Sequence, residues 1–203
     1  MVANETQREL AGDKAVRIVD AMRTSVARRG VAGSTFDHVA REAGVSRGLL
    51  HYYFGSKERL LVEVAKHDSR VRATAMAERL SEVGSVDDLV SWWTRSLRAT
   101  VRHEPEFVLL LLELFSLSQR NPDIASETSG MTGRTAAAMG ARLARLRDEG
   151  RIDFDGEPDT LATTLLGFTH GLALQLLSNS EASLTAVTET ASAAIRSLVR
   201  EPA

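Results

Sequence analysis

A short segment of the sequence, Thr35 to Lys57, concentrates side chains that can hydrogen-bond to anions and to the polar edges of flat rings. Thr35 and Ser46 each stand at the predicted start of a short helix, where hydroxyls and free backbone N–H groups can meet an anion with the helix dipole behind them. Arg47 follows Ser46 and can donate two parallel hydrogen bonds to one acceptor edge. These residue types at this spacing indicate contact with the groove of a nucleic acid.

The helix predicted to start at the second of these hydroxyls has two chemically different faces. At ~100° per residue, Leu50 and Phe54 share one face and are predicted to pack inward. Gly48 and Tyr52 lie on the opposite face. The outward side therefore offers a cation, a glycine that allows close approach and an amphipathic ring, which suits a groove wall.

Four helices are predicted to hold this segment, at about residues 8–29, 35–43, 46–53 and 57–82. The apolar stripe of the first follows helical spacing and consists of Leu10, Ala15, Ile18, Val19, Met22 and Val26. Gly30 ends this helix, and Gly44 breaks the chain between the second and the third. Two short helices joined by a turn that contains glycine, both packed on a longer first helix, predict a helix-turn-helix.

At these residues a resemblance becomes specific, because the run from residue 35 to 57 reads TFDHVAREAGVSRGLLHYYFGSK. It resembles the DNA-binding domain of the tetracycline-repressor (TetR) family over roughly residues 15–64, and the rest of the chain resembles that family only in length and helical layout. The resemblance implies nine or ten helices, three for DNA and the others for a ligand pocket and a dimer interface. It implies base reading by Arg47, Gly48 and His51, with Leu49 at a thymine methyl group. It implies phosphate contacts by Thr35, Ser46, Tyr52, Tyr53 and Lys57.

Each of these assignments has a structural alternative. Thr35 and Ser46 would serve as helix caps in any helical protein. Tyr52 and Tyr53 are candidates for the core as well, although two adjacent rings on one helix cannot both face inward. His51 is equally compatible with a solvated surface position. A cation such as Lys57 at the start of a helix opposes the helix dipole, and a phosphate partner explains that mismatch.

The whole chain is predicted to be all-α. Ala, Leu, Arg and Glu recur at helical spacing, and period-2 runs of β-branched residues are absent. We expect about nine helices, with a helix-turn-helix DNA-binding domain at residues 1–56 and a ligand-binding and dimerisation domain at residues 57–203. The later helices are predicted to start near Ser85, Pro105, Pro122, Pro158 and Ser183. A kink or break is predicted in the helix that carries Gly130, Gly133 and Gly140.

The stretch from Thr160 to Ser180 carries no charged residue and is long enough to span a bilayer. Its threonines, His170 and Gln175 lower its apolarity, and no Lys/Arg flanks set a topology. We therefore expect a buried or subunit-facing helix, no membrane contact and a cytoplasmic location. A helix that is apolar nearly all round must be covered on two sides, so a homodimer is predicted through the last two helices, about 158–179 and 183–200.

A pocket for a small-molecule effector of unknown identity is predicted in the C-terminal part. The candidate lining residues are Trp92, Trp93, Phe107, Leu111, Glu113, Phe115, Met131, Met139, Phe168 and His170. Aromatic and Met residues at helical spacing are more often core residues than ligand contacts. Glu113 is either exposed or positioned to pair with a polar or cationic ligand, and His170 is more in keeping with a hydrogen-bonded core or interface histidine than with a ligand contact.

The net charge of −2 comes from 25 Lys and Arg against 27 Asp and Glu. Residues 1–57 hold nine basic and six acidic residues, and the remaining residues hold 16 and 21, so a basic N-terminal part precedes an acidic body. The absence of cysteine excludes disulfides, a Cys-zinc site and a thiol nucleophile. We expect no metal, no cofactor and no catalytic residues.

Together these features predict a homodimeric, ligand-responsive transcriptional regulator, a repressor, that binds an inverted repeat in double-stranded DNA and is released by the effector. An α-helical enzyme is the first rival, and none of the familiar nucleophile, phosphate-loop or zinc-protease motifs is present. A helical protein-interaction module is the second rival. A ligand-independent regulator or an activator is the third.

Overall fold

The structure is a computed structural model that describes the backbone of residues 2–179 and 181–202 and the side chains of residues 13–202 except 77 and 180. The described residues form nine α-helices. These are α1 (Val2–Gly33), α2 (Phe36–Ala43), α3 (Arg47–Phe54), α4 (Lys57–Ser81), α5 (Val86–His103), α6 (Pro105–Ser118), α7 (Pro122–Asp148), α8 (Pro158–Ser178) and α9 (Leu184–Leu198). No strand occurs among them, and one isolated antiparallel bridge joins Asp153 to Arg200. The prediction of an all-α protein with about nine helices is confirmed.

Local capping explains where the helices begin. The hydroxyls of Ser85 and Ser183 accept hydrogen bonds from the backbone N–H groups of Asp88 and Ala186, at 3.1 and 3.2 Å. The Asp88 carboxylate in turn accepts from the N–H of Gly84 at 3.1 Å. Helices α6, α7 and α8 each start on a proline, a residue that suits the first helical turn.

The predicted break in the seventh helix does not occur, because α7 runs unbroken from Pro122 to Asp148. Packing explains Gly140. A Cβ atom at this position would lie 2.0 Å from Oδ1 of Asp159 and 3.0 Å from its backbone N and Cα atoms. The glycine therefore allows α7 to pass close to the first turn of α8.

The chain divides into two compact units. The first comprises Met1–Asp68 and Leu109–Thr128, and the second comprises Ser69–Val108 and Ser129–Ala203. By compactness, residues 57–68 and 109–128 therefore group with the helix-turn-helix. The functional boundary at 56/57 stays a prediction.

The first unit is built on α1, whose inward stripe is buried at Ile18, Met22 and Val26. The predicted stripe also included Leu10, which lies outside the described side chains. Gly30 departs from helical geometry, with φ 69° and ψ 173°, and so ends the regular part of the helix. The predicted end of the first helix is thus confirmed, although one further turn follows it.

Ion pairs link the first half of α4 to the start of α7 within this unit. Arg59 Nη2 lies 2.6 Å from Asp123 Oδ2, and Lys66 Nζ lies 2.7 Å from Glu127 Oε2. Lys66 also pairs with Glu63 at 3.0 Å. These contacts place the beginning of α7 beside the helix that follows the helix-turn-helix.

The second unit has its core between α5, α7, α8 and α9. Trp93 is almost fully buried, and its indole N–H donates to the carbonyl oxygen of Leu165 at 3.3 Å. Across the α5–α9 contact, Thr94 and Ser192 share a hydrogen bond of 3.2 Å. Helix α8 is long and apolar enough to cross a membrane by length and composition alone. Leu161 and Leu165 lie in the core, so one face of this helix packs inward.

Candidate DNA-binding interface

The first helix of the helix-turn-helix is held at both ends. The Thr35 hydroxyl accepts from the backbone N–H of His38 at 3.3 Å and so caps the start of α2. At the other end, Gly44 has φ 65° and ψ 40°, a left-handed conformation that side-chain-bearing residues rarely adopt. Its N–H group donates to the last carbonyls of α2. The turn therefore depends on this glycine, as the sequence predicted.

The second helix, α3, is anchored by one buried side chain and exposes most of its surface. Ser46 caps it by accepting from the N–H of Leu49 at 3.3 Å. Leu50 is fully buried, whereas Phe54, predicted to pack inward beside it, is half-buried. Because the first amides of a helix have no intrahelical acceptor, the starts of α2 and α3 both offer N–H donors.

His51 is exposed, and its ring orientation is set by two neighbours. Its Nδ1 lies 3.2 Å from the carbonyl oxygen of Gly55, and its ring packs edge-on to Phe36 with centroids 4.8 Å apart. A carbonyl oxygen only accepts, so Nδ1 carries the proton in this contact. Nε2 is therefore the nitrogen left to contact a partner.

The adjacent tyrosines behave differently from each other. Tyr52 is 81% exposed, and Tyr53 is half-buried. Their rings meet edge-to-face with centroids 5.4 Å apart. As the sequence required, only one of the two is turned toward the protein. Tyr52 places a large ring with a hydrogen-bonding tip in solvent, as expected of a contact residue.

Gly48 is exposed on the same helix, and the fold does not require it. Among the described residues, a Cβ atom at this position would meet only Ser46 Oγ, at 3.9 Å, which is an ordinary van der Waals distance. An alanine would be accommodated and would favour the helix. Packing among the described residues therefore does not account for this glycine, and its close approach to DNA stays a prediction.

Arg47 lies at the first position of α3 with 60% of its side chain exposed. Its Nη1 donates to both carboxylate oxygens of Asp37, at 3.4 and 3.5 Å. Sequence reasoning missed Asp37, because nothing in the local pattern shows that the first turn of α2 faces the first turn of α3. The only hint in the sequence is that Asp37 is an acidic residue within a segment predicted to contact DNA.

Lys57 has a partner within the protein. Its ammonium group donates to the carbonyl oxygens of Val31 and Ala32, at 2.6 and 3.4 Å, at the C-terminal end of α1. A cation is favourable there, because the last carbonyls of a helix carry partial negative charge. The position of Lys57 is thus explained without a phosphate, and its phosphate contact stays a prediction.

The predicted effector-binding residues are distributed over both units. Leu111, Glu113 and Phe115 belong to the first unit, where they are buried, half-buried and 40% exposed, respectively. The second unit contains the others, namely Trp92, Trp93, Phe107, Met131, Met139, Phe168 and His170. Trp92, Trp93 and Met139 are members of its core, and Phe168 packs against that core. The core alternative therefore fits these four.

Arg72 contacts one of the predicted residues, Phe107, and its charge acts on another, His170. Its guanidinium lies 3.8 Å from the centroid of the Phe107 ring and pairs with Glu104 Oε2 at 2.5 Å. Burial, together with the positive charge of Arg72, lowers the pKa of His170 below its ordinary value of 6.5. This shift favours the neutral form of the His170 ring.

Comparisons with known proteins agree with this architecture. Residues 18–64 match the family described as bacterial regulatory proteins, tetR family, and residues 87–200 match the family described as BetI-type transcriptional repressor, C-terminal. The HTH-type transcriptional repressor AcnR of Corynebacterium efficiens is 29% identical over 170 residues, which cover 80% of this chain and 85% of that protein.

Solved structures show the same fold at low sequence identity. The reduced form of NemR from E. coli superposes with a TM-score of 0.74 at 22% identity, covering 94% of this chain and 99% of that one. The regulator FadR from Bacillus subtilis, in complex with stearoyl-CoA, superposes with a TM-score of 0.68 at 17% identity, covering 89% and 96%. The chain, with its helix-turn-helix and its BetI-type C-terminal part, belongs to the TetR family of transcriptional regulators.

Proposed function

We propose that the protein is a cytoplasmic, homodimeric repressor that reads an inverted-repeat operator with α3 and is released from DNA by a small molecule bound in its C-terminal part. The observation that carries the DNA-binding role is the exposed face of α3. There, a cation, a glycine that the fold does not need and an 81% exposed tyrosine share one helix anchored by a buried leucine. No catalytic group, metal or cofactor takes part in this function.

Selection of bound sequences from a random DNA pool tests the central claim. We expect enrichment of an inverted repeat whose half-sites are centred about one helical turn, ~10 base pairs, apart. Affinity should fall steeply with rising salt, because phosphate contacts release counterions. Recovery of no enriched sequence would overturn the proposal. A single half-site without a repeat would overturn its dimeric part alone.

Division of labour among the contact residues gives a sharper readout. Arg47→Ala should relax the preference at one base pair, since a bidentate contact to guanine contributes about 1–3 kcal/mol of discrimination. Lys57→Ala should weaken binding to all sequences alike and reduce the salt slope by about one, provided that Lys57 leaves its α1 carbonyls for a phosphate. Equal effects of both variants on every sequence would contradict this division.

The outward faces of α8 and α9 support a dimer formed with a second copy. On α8 the exposed positions include Thr163, Gly167 and Gly171, and on α9 they include Thr190 and Ala193. These side chains are small and uncharged, although the exposed positions of α9 also include Glu189 and Arg196. Surfaces of this kind allow two helices to approach closely, which is how we propose that two copies pair.

A bulky residue at Gly167 tests this interface. A Cβ atom there meets nothing within 4 Å, so the isolated chain has room for Gly167→Arg. In a dimer the added side chain should weaken association by about 5- to 150-fold, as overpacking costs about 1–3 kcal/mol. The matched control is Gly133→Arg on α7, where a Cβ atom also meets nothing within 4 Å. Analytical sedimentation should show that Gly167→Arg is a monomer and that Gly133→Arg is a dimer. If both variants remain dimers, this interface is refuted.

A buried donor supports the ligand-responsive part. The indole N–H of Trp92 is buried in the second unit and has no hydrogen-bond acceptor among the described residues. Such groups are rare because they cost about 1–3 kcal/mol. An effector with a hydrogen-bond acceptor would satisfy it. A small-molecule screen by thermal shift, followed by DNA-release assays, tests this proposal. Compounds that raise the melting temperature but never change DNA affinity would favour a ligand-independent regulator.

A further inference from the structure

We propose that Asp37 is a specificity-determining residue that positions the Arg47 guanidinium for base reading. The inference rests on the proposed DNA-binding function and deepens it. Asp37 lies in the first turn of α2 and Arg47 at the start of α3, so their contact crosses the turn of the helix-turn-helix. Both side chains are about three-fifths exposed, at 62% and 60%.

The donor geometry leaves Arg47 able to read a base. Within the described part of the chain, the Asp37 carboxylate engages the guanidinium through Nη1 alone, at 3.4 and 3.5 Å. Nε and Nη2 remain on the other edge of the same planar group. Two neighbouring N–H donors are what a bidentate contact to guanine O6 and N7 requires. One edge of Arg47 is thus held by the protein while another can face the DNA.

The charge of Asp37 calls for such an explanation. A carboxylate beside a DNA-reading helix repels phosphates, and an ion pair this exposed adds little to stability. Asp37 is favourably placed at the positive end of the α2 dipole, so its own position is well supported. A supported carboxylate can restrict a long side chain that would otherwise sample many rotamers. Asp37 would then orient Arg47, and its negative charge would slightly weaken the affinity for DNA.

The test compares base preference in Asp37→Asn and the parent protein, using the operator selected by the parent and its single-base variants at fixed salt. We expect Asp37→Asn to reduce discrimination by about 1.4- to 5-fold, the range that an exposed ion pair supports. The loss should fall at the same base pair that Arg47→Ala affects. It should vanish in an Arg47→Ala background. Asp37→Glu, which keeps the carboxylate, should retain more discrimination than Asp37→Asn.

The matched control is Glu42→Gln. Glu42 also belongs to α2 and forms an exposed ion pair, with Arg28 at 3.4 Å. Among the described residues, the ion-pair partner of Arg47 is Asp37 and not Glu42. Its loss removes the same charge and should change affinity for all sequences alike. If Asp37→Asn behaves as Glu42→Gln does, or if its effect persists without Arg47, Asp37 does not position Arg47 and the inference fails. If the parent selects no sequence at all, the proposed function fails and takes this inference with it.

Discussion

Replacing Gly48 with alanine should change the stability of the protein and its affinity for DNA in opposite directions. The added Cβ atom would lie 3.9 Å from Ser46 Oγ and meet nothing closer, so the chain itself accommodates it. Alanine favours a helix over glycine by up to about 1 kcal/mol. For a chain of this size, we expect the melting temperature to rise by about 2–4 °C.

DNA affinity should change in the opposite direction. If Gly48 lies against the groove, a methyl group there costs about 1–3 kcal/mol as overpacking does. The dissociation constant for the selected operator should therefore rise by about 5- to 150-fold. Fluorescence anisotropy at fixed salt measures this constant, and thermal unfolding of the same preparation measures stability.

Gly133→Ala on α7 is the matched control for this experiment. Gly133 is also exposed and helical, and a Cβ atom there meets nothing within 4 Å. This variant should gain stability by about 1 kcal/mol and bind DNA as the parent does. If Gly48→Ala becomes more stable and still binds the operator with unchanged affinity, then α3 does not approach DNA at this residue.

Three further predictions concern stability. Gly140→Ala should lower the free energy of unfolding by about 1–3 kcal/mol, because its Cβ atom would overlap Asp159; chemical denaturation measures this, and a gain in stability would contradict the packing. Burial and then Arg72 lower the pKa of His170, so the unfolded chain binds that proton first, and stability should fall as pH drops below 6.5. Denaturation of the His170→Gln variant should show a flatter dependence on pH, and an unchanged slope would exclude His170 as its source. Leu50→Ala should cost about 2–5 kcal/mol, since Leu50 is fully buried; a variant that melts like the parent would show that Leu50 does not anchor α3.

Helix starts and ends in this protein could be predicted from the sequence, because capping acts over three or four residues. Thr35, Ser46, Ser85 and Ser183 cap the helices that the sequence placed after them. The seventh helix shows the limit of such reasoning. Its glycines lower helix propensity locally and favour a break, but the helix continues, and Gly140 serves the contact with the start of α8.

The candidate site was predictable by residue type but not by partner. The exposure of Arg47 and Tyr52 follows from the helical wheel around Leu50. The carbonyls that bind Lys57 lie 25 and 26 residues away on α1, so a dipole mismatch at one helix start gave no means of finding them. For the effector site, composition alone could not separate core residues such as Trp93 from ligand contacts.

The sequence by itself determined the all-α class, the helix-turn-helix and the family resemblance, since these depend on periodicity, caps and one dense local motif. Tertiary structure alone decided the pairing of Arg47 with Asp37, the partner of Lys57, the fit of Gly140 and the lowered pKa of His170. Each of these depends on groups that lie far apart along the chain and meet only when helices pack. Local helix propensity and capping therefore cannot predict these tertiary contacts.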